Sequence, residues 1–152
     1  VLSTLHTNDA PSSINRMMNM GIEPFLVASS VNLIAAQRLV RRICASCKEA
    51  YEVPEQALVD LGFSKQEAKT IKPFRGRGCE RCSGTGFKGR VALFEVMDVD
   101  EDVRELILSG GSANELRQQA LANGMIHLRA SGLEKIRDGV TTIEEVMRET
   151  VL

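Results

Sequence analysis

Four cysteines fall into two pairs of the same form, Cys44-x-x-Cys47 and Cys79-x-x-Cys82, and they account for every cysteine in the chain. A C-x₂-C turn lets two thiolates reach one ion, and two such turns supply the four corners of a tetrahedral zinc site. Four protein ligands leave no open position, so the predicted role of the metal is structural rather than catalytic. Lys48 and Arg81 stand beside the pairs and offset the charge of a tetrathiolate centre, and the glycines after Cys82 allow backbone N–H groups to turn toward sulfur. Three other readings compete. Two disulfides would suit a small secreted domain. A redox C-x-x-C normally comes as a single pair at a helix start. Unliganded thiols could also simply fill space. The segment between the pairs looks short of apolar residues, which favours metal, since structural zinc contributes about 10–16 kcal/mol in small zinc peptides.

The two histidines differ in position. His127 precedes the helical stripe Leu128-Arg129-Ala130 and reads as an ordinary surface histidine. His6 stands where an apolar strand is expected to end and a helix to begin, and open α/β sheets bind ligands at the carboxyl ends of their strands. An imidazole there can donate to a phosphate oxygen.

The elements that must hold these residues follow from patterning. Val1–Leu5 predicts a strand by its Val, Leu and Thr content. Asn8 or Asp9 caps a helix with Pro11 in its first turn, and Gly21 closes that segment. A second helix is predicted from about Pro24 to Ile43, with Val27, Val31, Ile34, Ala35 and Leu39 as its apolar stripe and Arg38, Arg41 and Arg42 in its last turn. Between Cys44 and Gly89 the chain turns to glycine, proline and hairpin-like sequence, with short helices at Glu55–Leu61 and after the capping box Ser64-x-x-Glu67. Arg90–Val99 returns to strand character. Helices then follow, capped by Asp100, by Ser112-x-x-Glu115 and by Thr142-x-x-Glu145 (or Thr141-x-x-Glu144), with another over Leu128–Arg137.

The bulk composition fits a soluble globular chain: 43% hydrophobic, 26% charged, net charge −1 over 152 residues. No global field draws it to nucleic acid or an anionic membrane. No apolar run reaches the roughly 18 residues of a membrane helix. The opening Val1, with no Met and no cap, predicts a piece cut from a longer protein.

Leu2-Ser3-Thr4-Leu5-His6-Thr7-Asn8-Asp9-Ala10 resembles the His box of the secretion-superfamily ATPases that assemble type IV pili and drive type II secretion. The likeness continues through Ile14-Asn15-Arg16, Met20-Gly21-Ile22, Ala36-Gln37-Arg38-Leu39-Val40-Arg41, both cysteine pairs, Gly89-Arg90-Val91, Glu95-Val96-Met97 and Thr141-Thr142-Ile143-Glu144-Glu145-Val146. It covers the chain in order. Retraction motors of that superfamily lack the cysteine insert, so the four cysteines point to the assembly or export branch.

The resemblance implies an α/β fold: the C-terminal part of a RecA-like P-loop ATPase core, with a tetracysteine zinc subdomain and a C-terminal helical bundle. Residues 1–43 and 85–99 would belong to the core, 44–84 to the zinc subdomain and 100–152 to the helical subdomain. It implies a hexameric ATPase that uses ATP and Mg, sits in the cytoplasm at the inner membrane, and acts on an inner-membrane platform protein. By match, His6 approaches the γ-phosphate, Gln37, Arg38 and Arg90 support the nucleotide pocket or subunit contacts, and Cys44, Cys47, Cys79 and Cys82 hold zinc. One departure matters: the phosphate loop G-x-x-x-x-G-K-[ST] occurs nowhere in these residues, so the piece alone is expected not to hydrolyse ATP.

Two other functions are weighed beside this one. A zinc-ribbon nucleic-acid binder would use Arg75, Arg77, Arg81, Lys88 and Arg90, but only Phe74 and Phe87 offer stacking and the net charge is not basic, so no nucleic-acid partner is expected. A DnaJ-like chaperone module shares the Cys79-x-x-Cys82-x-Gly84-x-Gly86 form but needs more such repeats.

Overall fold

In the computed structural model, which describes residues 1–150, the elements in chain order are α1 (Ala10–Asn19), α2 (Pro24–Ser30), β1 (Leu33–Ile43), β2 (Lys48–Ala50), α3 (Glu55–Leu61), α4 (Lys65–Thr70), β3 (Phe74–Gly76), a 3₁₀ turn (Glu80–Cys82), β4 (Phe87–Asp98), α5 (Glu101–Leu108), α6 (Ala113–Ala122), α7 (Leu128–Arg137) and α8 (Ile143–Glu149). They form two compact units: residues 1–37 with 94–128, and residues 38–93 with the chain from Arg129 onward. The strands β1 and β4 pair with each other, and the division between units falls inside both.

The first unit is built on α1, α2, α5 and α6. Asp9 caps α1, its Oδ1 accepting the Ser12 N–H at 2.8 Å, and Pro11 lies in the first turn, where a missing N–H costs nothing. Gly21 follows at φ 89°, the left-handed conformation that suits a residue without a Cβ. Asp100 caps α5 through the Val103 N–H, and Ser112 and Glu115 form a reciprocal capping box at the start of α6. Ile14, Val27, Val103, Ile107 and Leu116 are almost completely buried.

Two expectations fail here. Val1–Leu5 forms no strand, and Val1 and Leu2 are fully exposed. A strand requires a partner for its backbone groups, and the two sheets among the described residues, β1 with β4 and β2 with β3, leave it none. The long helix expected over Pro24–Ile43 stops at Ser30, with Val31 already extended at ψ 123°, and Leu33 opens a strand. Along β1, Ile34, Ala36, Arg38 and Val40 are buried or half-buried while Leu33, Ala35, Gln37 and Leu39 are exposed, a period of two. A short apolar run supports either period, and pairing with β4 decides it. Leu39, counted on the helical stripe, therefore faces outward.

In the second unit β2 and β3 run antiparallel, pairing Lys48 with Gly76, Glu49 with Arg75 and Ala50 with Phe74. The chain between them is not coreless, as its composition suggested. Leu58, Leu61, Phe63 and Ala68 from the α3–α4 region form one apolar cluster with Leu133, Ile136, Ile143 and Val146 from α7 and α8. Apolar partners far along the chain supply what the local sequence lacks. Thr142, not Thr141, caps α8 by accepting the Glu145 N–H; the Thr141 hydroxyl instead donates to the Arg41 carbonyl at 2.7 Å.

Candidate functional site

The tight turn Cys44–Cys47 follows β1, and the 3₁₀ turn Glu80–Cys82 follows Cys79, so each cysteine pair sits on a bend that presents both sulfurs to one side. The four Sγ atoms all lie within 4.8 Å of one another. Cys44 to Cys79 is 3.9 Å, Cys47 to Cys82 is 3.9 Å and Cys79 to Cys82 is 3.7 Å. A tetrahedron of sulfurs around zinc, with Zn–S bonds near 2.3 Å, has edges of about 3.8 Å. A disulfide needs sulfurs about 2.05 Å apart, and all four cysteines are free. The donor set and its spacing fit a tetrathiolate metal ion.

Backbone groups support the sulfurs. The N–H groups of Cys79 and Gly86 donate to Cys82 Sγ, both at 3.2 Å, and that of Gly78 donates to Cys47 Sγ at 3.3 Å. Such bonds favour thiolate. Burial opposes ionisation at Cys82, but its two backbone donors and the neighbouring thiols outweigh it and bring the thiol down to about 6. At Cys47 burial wins and pushes the thiol up to about 12. Glycine is required where this happens: Gly86, at φ 77°, packs so closely on Gly76 that a Cβ on either would overlap the other's carbonyl oxygen. Gly86 accepts the Cys44 N–H at 2.9 Å through that same backbone. Of the glycines expected to serve sulfur, Gly86 does so, whereas the Gly84 N–H goes to the Cys79 carbonyl at 2.9 Å. Lys48 lies with its ammonium 4.3 Å from the Phe74 ring centre, and Arg81 reaches the Ser46 hydroxyl at 3.5 Å.

His6 is exposed on the irregular segment before α1. The turn that follows it is tied down at several points. Thr7 Oγ1 and Ser13 Oγ are 2.7 Å apart, and the Asp9 carboxylate pairs with Arg117 of α6. Burial raises the Asp9 carboxyl, but its bonds to Ser12 and Arg117 win and hold it below the ordinary carboxylate range. Gln37 and Arg38 are consecutive on β1, the first exposed and the second half-buried; Arg90 is exposed on β4. Thus the four cysteines converge, while His6 lies on the segment before α1, Gln37 and Arg38 on β1 and Arg90 on β4.

Two buried carboxylates make distant bonds that residue patterning does not reveal; Glu145 has a capping-box place in the sequence, but its side chain turns to Arg41 instead. Glu95 of β4 accepts the backbone N–H of Ala10 at 2.8 Å and that of Leu128 at 3.1 Å. Glu145 of α8 accepts the Arg41 backbone N–H at 2.8 Å and that arginine's guanidinium at 2.7 and 2.9 Å, and pairs with Arg148. Burial would raise the Glu145 carboxyl; the Arg41 bonds outweigh that and lower it. The one visible signal for Glu95 was an acid placed between the apolar Phe94 and Val96 of a strand.

Residues 1–148 match the family model described as type II/IV secretion system protein. The chain is 52% identical to the type IV pilus assembly ATPase PilB of Myxococcus xanthus over 151 residues, 99% of this chain and 27% of the relative. It is 44% identical to the PilB of Thermus thermophilus, covering 17% of that protein, and 43% identical to type II secretion system protein E of Pseudomonas aeruginosa, covering 29%. The chain therefore spans less than a third of the length of each of these relatives. It belongs to the type II/IV secretion system protein family.

Proposed function

We propose that these residues are part of a hexameric ATPase that powers type IV pilus assembly or type II protein secretion. The observation that carries this reading is the family match over residues 1–148, with relatives named as pilus-assembly and secretion ATPases. In the whole protein, residues 1–43 and 85–99 close the rear of a RecA-like core, 44–84 form a zinc subdomain and 100–152 a helical subdomain. Zinc held by Cys44, Cys47, Cys79 and Cys82 makes a rigid projection and takes no part in the chemistry. His6 donates to the γ-phosphate of ATP, whose Mg-bound phosphates are seated by a phosphate loop elsewhere in the full chain; Gln37, Arg38 and Arg90 support that pocket or the subunit contacts. The ring works on the cytoplasmic face of the inner membrane and passes its motion to a platform protein there. No helix among the described residues is long and apolar enough to cross a membrane.

The test is ATP turnover. The full-length protein should hydrolyse ATP, His6→Ala should reduce kcat by about 10²–10³, the range for losing a positioned donor to developing charge, and the 152-residue chain alone should show none. Full turnover in His6→Ala, or hydrolysis by the short chain, would contradict the assignment.

A further inference from the structure

Glu95 is a carboxylate that the chemistry above leaves unused. It lies within β4 and is 3% exposed. A buried carboxylate is costly unless its oxygens are satisfied. Here each oxygen takes one backbone N–H: Oε1 that of Ala10, Oε2 that of Leu128. Both donors are the first residues of their helices, α1 and α7. Those N–H groups have no acceptor within their own helix, and the positive end of the helix dipole favours an anion there. Glu95 thus satisfies two orphan donors and anchors α1 to β4 at its first residue.

What that anchor holds is the His6 turn. Ala10 closes the segment His6-Thr7-Asn8-Asp9-Ala10. The Asp9–Arg117 pair ties the same turn to α6, and Thr7 is tied to Ser13 within α1. We infer that Glu95 is a positioning residue for His6: it fixes the start of α1 on β4 and so fixes where the imidazole projects. This inference rests on the reading of His6 as a phosphate contact. Misplacing a reacting group by about 1 Å can cost on the order of 10²-fold in rate. Glu95 touches no reacting atom, so its loss should appear in kcat and leave substrate binding nearly intact.

The experiment compares full-length protein carrying Glu95→Gln, His6→Ala or both. The amide of Gln is isosteric but turns one acceptor into a donor facing a backbone N–H, so one anchor is lost. Glu95→Gln should lower kcat by about tenfold or more while KM for ATP stays within about twofold. The double variant should be no slower than His6→Ala alone, because a turn without its histidine has nothing left to position. Should Glu95→Gln fail to fold, Ala10→Pro provides the second route. It removes the N–H donor and keeps the carboxylate, at a helix position that tolerates proline and after an Asp9 already extended at φ −147°. It should show the same kcat loss. Wild-type turnover in Glu95→Gln beside a slowed His6→Ala would overturn this inference alone, as would losses that multiply in the double variant. Full turnover in His6→Ala would overturn the functional reading and this inference with it.

Discussion

The turn that carries His6 and the turns that carry the cysteines face the same difficulty, since neither has enough apolar side chains to hold itself in place. The first unit solves it with charge and backbone: Asp9 caps α1 and pairs with Arg117, and the Glu95 carboxylate receives two helix N-termini. The second draws four sulfurs to one point and lines them with backbone N–H groups. The two units also differ in charge. The first carries nine acidic and three basic residues, the second eleven acidic and sixteen basic, so a net charge of −1 conceals two regions of opposite sign. The lesson is that hydrogen-bonded anchors leave the His6 turn exposed, whereas four sulfurs drawn to one point have the geometry of a closed site with no open coordination position.

The contrast is broken most sharply by removing metal. Chelation, or Cys82→Ser, should cost the second unit several kcal/mol, up to about the 10 kcal/mol of structural zinc sites. Hydrogen exchange should then rise at β2, β3 and the Glu80–Cys82 turn while α5 and α6 keep their protection. Equal loss in both units would erase the distinction. Next in size is the shared apolar cluster. Leu58→Ala should destabilise the protein by about 2–5 kcal/mol in denaturant unfolding, because Leu58 is 1% exposed among residues of α3, α7 and α8. Gly86→Ala should cost about 1–3 kcal/mol and weaken zinc retention against a competing chelator, since the new Cβ meets the Gly76 backbone.

Much of this was legible from short-range signals. Asp9, Ser64, Asp100, Ser112 and Thr142 cap helices as their sequence contexts indicate, because a cap and its partner lie within three residues. The cysteine pairs were legible as a candidate metal site from their spacing, and their four sulfurs do come together. What patterning could not reach depends on distant partners. Glu95 finds its donors 85 and 33 residues away, and Glu145 finds Arg41 104 residues away. The same is true of Leu33–Ile43, whose apolar run suits a helix until β4 lies beside it. Val1–Leu5 has strand composition and no strand to bond.

The smallest expected effect belongs to the first unit. Asp9→Asn keeps a capping oxygen but loses the charge toward Arg117, and should cost about 0.2–1 kcal/mol at neutral pH. Its pH dependence is more telling. The Asp9 carboxyl is lowered in the folded protein, so its contribution is present above the unfolded pKa, near 3.9, and fades as pH falls through the folded value. Stability profiles of wild type and Asp9→Asn should therefore converge in acid, below about pH 4. Profiles that stay parallel there would show that the pair with Arg117 contributes nothing.

The most direct measurement is zinc content. Elemental analysis of freshly reduced, folded protein should find one zinc ion per chain, with all four thiols shielded from a thiol reagent until the metal is removed. Folded protein without bound metal, with its cysteines reacting independently, would contradict the account.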